Sequence, residues 1–512
     1  MLAPLAPTKN ADPPPGAAAR PDRSPTSGEP AGWRPPSSSR AVLRNIGWLL
    51  TAQLLAGGGQ FGLTVLLARH LGAERYGQWT FAFAFVALFA VLADFGFSMV
   101  AVRDLARDPS AAPRYLGNIL ALKVVLGVLL LGAMAAIEPL VRPGATAWIL
   151  VMLLGGQVLL TSFTQFLFSV FRAHNRMEYE TAARAFQTVL LLALAALLVM
   201  RGAGVYAFGW AVLGAAGASL AFTGALVVGR FARPALTVEV GFCRSLLREA
   251  WPVGLALACS AVYYYADSVM LGALGQTRAL GWYGAAYAPI LGLALLIGAI
   301  RNAYFPSQSR SRLFDAGERV HLLREYGKIT AALAIPVAIG GPLLAKPLLL
   351  LLFGDEYGGA TTALRLLFVA SGVMFFSSYF GSELLAGPRQ RTYLSGVGLG
   401  AAANLVMNAA LIPAFSIEGA AAATLISEGL VCAFMWWQTR PGGVSLGDIL
   451  WRTGVAAAVM AGALFAGMQV LPWYALAAPA VAVYLGVLYL LSSETLQRHL
   501  SALLVVAARA RS

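Results

Sequence analysis

Beyond residue 40 the chain alternates long apolar runs with short polar gaps. Six runs lie near 46–68, 77–99, 118–137, 146–170, 183–200 and 205–228. After a basic gap, six more lie near 251–273, 281–300, 329–353, 363–385, 394–412 and 419–437, and two follow at 453–471 and 474–492. Each comes close to the roughly 20 residues that a helix needs to cross the hydrocarbon core. The pattern predicts an all-α polytopic membrane protein with fourteen transmembrane helices. Residues 1–40, rich in Pro, Ala, Ser and Arg, contain no apolar run and read as a disordered tail. They lack the apolar core of a signal peptide.

Composition narrows the class. Of the 512 residues, 59% are hydrophobic and only 12% charged, about half the charged share of a soluble domain. The mean hydropathy is +0.71. So few charges cannot cover a soluble globule of this size, which excludes a soluble enzyme. The net charge of +14 would suggest nucleic acid in a soluble protein. Here no dense basic patch with interleaved aromatics supports that, and no nucleic-acid partner is expected.

The basic residues fit membrane orientation instead. If both termini are cytoplasmic, 29 of the 37 Lys and Arg fall in the tails and inner gaps. Arg69, Arg75, Arg142, Arg201, Arg278, Lys346 and Arg365 fall outside or at outer helix ends, and Lys123 lies within a span. One span more or fewer would invert every later loop, so the bias predicts an even count. The outer gaps are all too short for a folded external domain.

Two stretches echo each other. Leu71 and Gly72, followed by Tyr76 and Gly77, resemble Leu274 and Gly275, followed by Tyr283 and Gly284. Phe171, Arg176 and Tyr179 after the fourth run resemble Leu385, Arg389, Arg391 and Tyr393 after the tenth. Two repeats of six spans share one orientation and are related by an axis along the membrane normal. The expected organisation is a tail at 1–40, a six-helix bundle at 41–240 and a second bundle at 241–440. A pair of extra helices with a cytoplasmic tail would fill 441–512. A central cavity between two such bundles is transporter architecture.

Ionisable groups within hydrocarbon are costly and by default face a cavity or a partner. Glu428 lies near the middle of its run, Asp267 in the outer part of the seventh, Asp94 in the inner part of the second and Glu383 near the inner end of the tenth. Each is a candidate for coupling or substrate contact, or else an acid hydrogen-bonded to a helix neighbour. Asn404 and Asn408 are four apart and share a helix face, so they could read sugar hydroxyls or join helices. Lys123, Arg301 and Arg365 could meet a phosphate, although basic side chains at helix ends commonly snorkel. Pro336, Pro342 and Pro347, with Gly340 and Gly341, predict a kinked ninth span.

Other chemistry is poorly represented. Cys243, Cys259 and Cys432 are far apart, and the four histidines have no metal-ligand spacing. No GxxxxGK[ST] motif supplies a nucleotide site. No cofactor or metal is expected, and energy would come from a proton or sodium gradient, the membrane potential or substrate flux.

Several motifs resemble those of bacterial polysaccharide flippases in the multidrug/oligosaccharidyl-lipid/polysaccharide exporter superfamily. They are residues 71–79, residues 92–98 with Asp94 and Gly96, and residues 102–107. Later come Asp267 to Gly272, Phe353 to Tyr357, Arg389 to Tyr393, Asn408 to Pro413, and Glu418 with Gly419. The resemblance covers about 41–440. It implies two six-helix bundles around a central cavity in the bacterial inner membrane. It also implies transfer of an undecaprenyl-diphosphate-linked oligosaccharide to the outer leaflet for O-antigen or related polysaccharide synthesis. The partners it implies are membrane lipids, the lipid-linked oligosaccharide and a polysaccharide polymerase. The alternatives are an ion-coupled multidrug antiporter of the same superfamily or a membrane polymerase or glycosyltransferase. An enzyme of that kind needs a large external loop or an acidic catalytic loop, so no enzyme activity is expected.

Overall fold

The computed structural model describes residues 39–491 except 143–146, 236, 312–315 and 441–444. The tail predicted at 1–40 therefore lies outside the described residues up to 38, as does the end of the chain from 492. Among the described residues there is no strand. This follows from the solvent: in hydrocarbon every backbone N–H and C=O must be paired within the protein, and a helix does that within one segment.

Thirteen α-helices follow in order. They are α1 (Ser39–Asp94), α2 (Phe97–Arg107), α3 (Ala112–Val141), α4 (Trp148–Ala173), α5 (Met177–Met200) and α6 (Val205–Arg230). Next come α7 (Val240–Ala273), α8 (Thr277–Ser311), α9 (Ala316–Phe353), α10 (Thr361–Leu385), α11 (Gln390–Thr439), α12 (Leu446–Gly467) and α13 (Trp473–Leu491). Eleven stretches of described helix are long and apolar enough to cross a membrane. That number differs from the fourteen predicted runs for identifiable reasons. The first two runs share α1 and its continuation into α2, and the runs at 394–412 and 419–437 share α11. Each pair is joined through a sharp break, at Gly72 (φ 71°) and at Ser416 (φ 52°). The run at 251–273 lies on α7, which is outside the eleven.

Helix α4 packs on α6 and α1, and α5 on α1 and α6; α10 packs on α9, α11 and α8, while α7 packs on α1 and α11 and α8 on α1 and α10. Helix α12 packs on α9 and α13. Exposed Val124, Val125, Val128 and Leu129 on α3 give that helix an apolar outer face suited to lipid. The two sets of helices meet along α1, α7 and α8.

The repeat explains how closely they meet. Gly72 and Gly275 both adopt left-handed φ, 71° and 74°, at the ends of equivalent spans. The next helical turns then cross. A Cβ on Gly77 would lie 1.9 Å from the Thr277 carbonyl oxygen and 3.1 Å from the Gly281 nitrogen. A Cβ on Gly281 would lie 2.0 Å from the Ala73 carbonyl oxygen and 3.1 Å from the Gly77 nitrogen. The contacts are reciprocal, as expected at a two-fold axis. They pair Ala73 with Thr277 and Gly77 with Gly281, so the counterpart of Gly77 is Gly281 rather than Gly284. Small residues four apart let helix backbones touch in this way. Gly284 against Thr80 and Gly272 against Phe81 continue the seam.

Helix α9 was expected to kink. Its backbone is helical from Ala316 to Phe353, prolines included. Pro336 cannot donate to the carbonyl of Ala332 four residues earlier, and the Tyr484 hydroxyl of α13 donates to that oxygen at 2.8 Å instead. Gly340 and Gly341 let Met460 and Phe368 approach on either side. The proline-rich segment thus serves as a docking surface for its neighbours.

Two outcomes are expected. Gly281→Ala and Gly77→Ala should each destabilise the protein by at least about 1–3 kcal/mol through overpacking, read as a lower midpoint of thermal unfolding in detergent, whereas Gly486→Ala, in open space, should not. Tyr484→Phe should leave the Ala332 carbonyl unpaired and cost about 1–3 kcal/mol, seen as faster hydrogen exchange confined to α12 and α13.

Candidate functional site

The predicted polar residues separate into a satisfied cluster among α1 to α4 and an open cavity among α7 to α11. In the first, α1 ends at Asp94 because Phe95 (φ 49°) and Gly96 (φ 87°) turn the chain before α2. The carbonyl of Ala93 lies in the last turn, where carbonyls lack intrahelical partners. Lys123 of α3, fully buried, donates to it at 3.1 Å, to Asp94 Oδ1 at 2.6 Å, and to Ser162 Oγ at 2.6 Å. Ser162 Oγ also donates to the Ala93 oxygen at 2.7 Å, and Ser98 Oγ donates to Asp94 Oδ1 at 2.7 Å. A cation at a helix C-terminus is favoured. Lys123 and Asp94 hold the helix break together; neither is presented as a free charge to a phosphate or an organic cation.

In the second set, Glu428 on α11 is buried. Its Oε1 accepts a short hydrogen bond from the Tyr263 hydroxyl, and its Oε2 accepts one from Ser377 Oγ at 3.2 Å. It borders an open cavity of about 250 Å³ lined by α7, α8, α10 and α11. Arg301 of α8 also lines this cavity. Arg301 and Glu428 both lie within electrostatic reach of the Tyr264 hydroxyl. Ser260, Ser378, Ser382 and Tyr393 supply further hydroxyls. The sequence singles out Glu428 and Arg301 but misses this serine lining. Small hydroxyl residues are common in membrane helices, and only the packing shows that Ser377, Ser378 and Ser382 share one wall.

The remaining candidates have other surroundings. Asp267 is buried and accepts from the Tyr283 hydroxyl at 2.6 Å and from the Ser268 backbone N–H at 2.6 Å. It therefore ties α7 to α8 and does not line the cavity. Asn404 donates to Ser427 Oγ at 3.2 Å, and Asn408 donates to Asn404 Oδ1 at 2.8 Å, joining the two limbs of α11. Asn408 Oδ1 is buried and without a hydrogen-bond partner among the described residues. Glu383 pairs with Arg319 through a short contact. Arg365, exposed, donates to the Pro342 carbonyl at 3.2 Å. No group of three or more His, Cys, Asp or Glu placed to hold a metal occurs among the described residues.

The two ends of the molecule are joined differently. At the glycine seam, the Tyr357 hydroxyl donates to the Ala68 carbonyl at 2.7 Å, just before the break at Gly72. Arg69 reaches the last-turn carbonyls of α9, with Nε at 2.8 Å from the Leu352 oxygen. Arg142 meets Thr277 Oγ1 at 2.5 Å. At the opposite end, α2 and α3 meet the entry to α7 through Arg103–Glu249 at 2.6 Å and Arg114–Glu239 at 2.5 Å. All four of these side chains are more than 40% exposed. The Arg114 guanidinium holds the Glu239 carboxyl below the usual carboxylate range.

The family of chains described as "Polysaccharide biosynthesis protein" matches residues 42–312. The chain belongs to the polysaccharide biosynthesis protein family. The match takes in the helix break, the glycine seam and one wall of the cavity. Over 416 residues the chain is 25% identical to the succinoglycan biosynthesis transport protein ExoT of Rhizobium meliloti (strain 1021), covering 78% of each chain. In three dimensions it is similar to the lipid II flippase MurJ in an inward closed conformation. The TM-score is 0.73 at 11% identity, over 88% of this chain and 98% of that one. It also resembles an inward-facing multidrug resistance MATE family transporter of the MOP superfamily, with a TM-score of 0.63 at 16% identity, covering 77% and 98%. These likenesses show the fold. This member of the polysaccharide biosynthesis family is a multi-pass membrane protein built on that fold.

The geometry makes a stability ranking testable. Lys123→Met should lower folded stability by about 3 kcal/mol, because it strands Asp94 beside a helix break. Ser162→Ala should cost about 1 kcal/mol, since Lys123 still serves the Ala93 carbonyl. Thermal unfolding of the purified variants checks the order; a Lys123 acting only on substrate would leave the midpoint unchanged.

Proposed function

We propose that the protein is a flippase that moves an undecaprenyl-diphosphate-linked oligosaccharide from the cytoplasmic to the outer leaflet of a bacterial inner membrane. The observation that carries the reading is a hydroxyl-lined cavity with one guanidinium, in a chain of the polysaccharide biosynthesis family. Hydrocarbon-facing helices have no use for such a cavity unless polar cargo enters it. With both termini cytoplasmic, the glycine seam lies at the outer end. The packed seam closes that side, while exposed ion pairs, each worth about 0–1 kcal/mol, hold the inner side. The inner side is then the easier to open for loading, and parting the seam releases the glycan outward while the lipid tail stays in the bilayer. A proton or sodium gradient would bias the cycle, and a polymerase would receive the product.

The multidrug antiporter is the weaker reading for a structural reason. An organic cation needs an acid free to meet it; Asp94 among α1 to α6 is already held by Lys123 and Ser98, and Glu138 is buried in the last turn of α3 beside Arg142. Deleting the gene in the native host tests the choice. The flippase reading predicts loss of surface polysaccharide and accumulation of lipid-linked repeat units on the cytoplasmic face. Normal surface glycan with altered drug sensitivity would favour the antiporter, and single repeat units outside but unpolymerised would favour an enzyme.

A further inference from the structure

The polar groups of the two halves are used in different ways. Lys123, Asp94 and Ser162 satisfy one another around a helix break. Around Arg301 the pairing is partial: Glu428 is bonded to Tyr263 and Ser377, and Ser382 donates to the Tyr379 carbonyl. Arg301 makes no hydrogen bond or ion pair among the described residues, although it lines the cavity. Ser378 Oγ, on the same lining, is buried with no partner in hydrogen-bond geometry among the described residues. Unfilled polar groups facing a cavity are what a bound polar ligand would complete.

From the flippase reading, we infer that this cavity is the subsite for one carboxylate-bearing sugar unit of the cargo, with Arg301 as the residue that selects it. Size limits the ligand. At about 250 Å³ the cavity lies below the roughly 300–1,000 Å³ of pockets for drug-sized ligands, so it takes about one sugar unit, and its open side lets the rest of a chain continue outside it. Charge limits it further. Arg301 and Glu428 are the charged residues of the lining, so the cavity matches a ligand with one negative charge near the guanidinium and a hydroxyl donor near the carboxylate. A diphosphate would bring more negative charge than one guanidinium offsets and would set it against Glu428.

The remaining lining suits a pyranose. Tyr263, Tyr264 and Tyr393 present ring faces with polar tips, which suit a ligand with one apolar face and a hydroxylated rim. Glu428 is oriented by Tyr263 and Ser377 and can accept from a sugar hydroxyl. A planar carboxylate takes two parallel hydrogen bonds from a guanidinium, whereas an ammonium offers a point charge.

The test uses the full chain in lipid nanodiscs and ligand-observed NMR titration. The probes are methyl β-glucuronide, methyl β-glucoside and glucose 6-phosphate. The expected result is binding of the glucuronide at least about tenfold tighter than either other sugar. Arg301→Gln should remove that preference, and Arg301→Lys should retain part of it while unfolding at the wild-type temperature. Equal binding of glucuronide and glucoside, tighter binding of the phosphate, no binding of any probe, or an Arg301→Gln variant that keeps the preference would each overturn the assignment. Translocation of a lipid-linked glycan is measured separately in liposomes. Glucuronide selectivity without translocation would sink the flippase reading and leave the subsite standing, and translocation without selectivity would do the reverse.

Discussion

A membrane helix that breaks must find new donors for the carbonyls it releases, because the hydrocarbon offers none. Much of this fold follows from that constraint. At the end of α1, Lys123 and Ser162 donate to the Ala93 carbonyl. Just before the break at Gly72, the Tyr357 hydroxyl reaches the Ala68 carbonyl. Opposite Pro336, Tyr484 fills the place of the missing N–H at Ala332. Each repair comes from another helix, so each released carbonyl becomes a tertiary tie.

These ties leave the two halves unlike despite their shared repeat. The local two-fold survives where backbones touch, at Gly77 and Gly281. It is lost in the polar groups: Lys123 is paired with Asp94 and Ser162, whereas Arg301 faces a cavity whose acid, Glu428, is bonded to Tyr263 and Ser377. A duplicated scaffold can in this way supply a symmetric seam for movement and an asymmetric interior for recognition.

The apolar periodicity makes the helices legible, since membrane helices are specified by length and hydropathy alone. The paired left-handed glycines at 72 and 275 are legible too, as the echo between the repeats. The partner of Gly77 is not, because the offset between the repeats grows from 203 at Gly72 and Gly275 to 204 at Gly77 and Gly281, and the Tyr-Gly echo points to Gly284 three residues further on. Hydropathy also shows that Lys123, Asp94, Arg301 and Glu428 are costly, but not who pays the electrostatic debt. Only packing reveals that Lys123 donates to Asp94, Ser162 and the Ala93 carbonyl, while Arg301 makes no hydrogen bond among the described residues. Gly340 and Gly341 beside three prolines read as a kink in sequence, and three-dimensional packing turns them into contact points for Phe368 and Met460.

The most direct measurement of the central claim is translocation in liposomes. The purified protein is reconstituted with a fluorescent undecaprenyl-diphosphate-linked oligosaccharide isolated from the native host, and a membrane-impermeant glycosidase reports the glycan exposed outside. The account predicts that protein-containing vesicles expose the inner pool while protein-free vesicles do not. It further predicts that a disulfide locking the glycine seam, from Ala73→Cys with Thr277→Cys, stops exposure until it is reduced. Equal exposure with and without protein, or translocation undiminished by the locked seam, would contradict it.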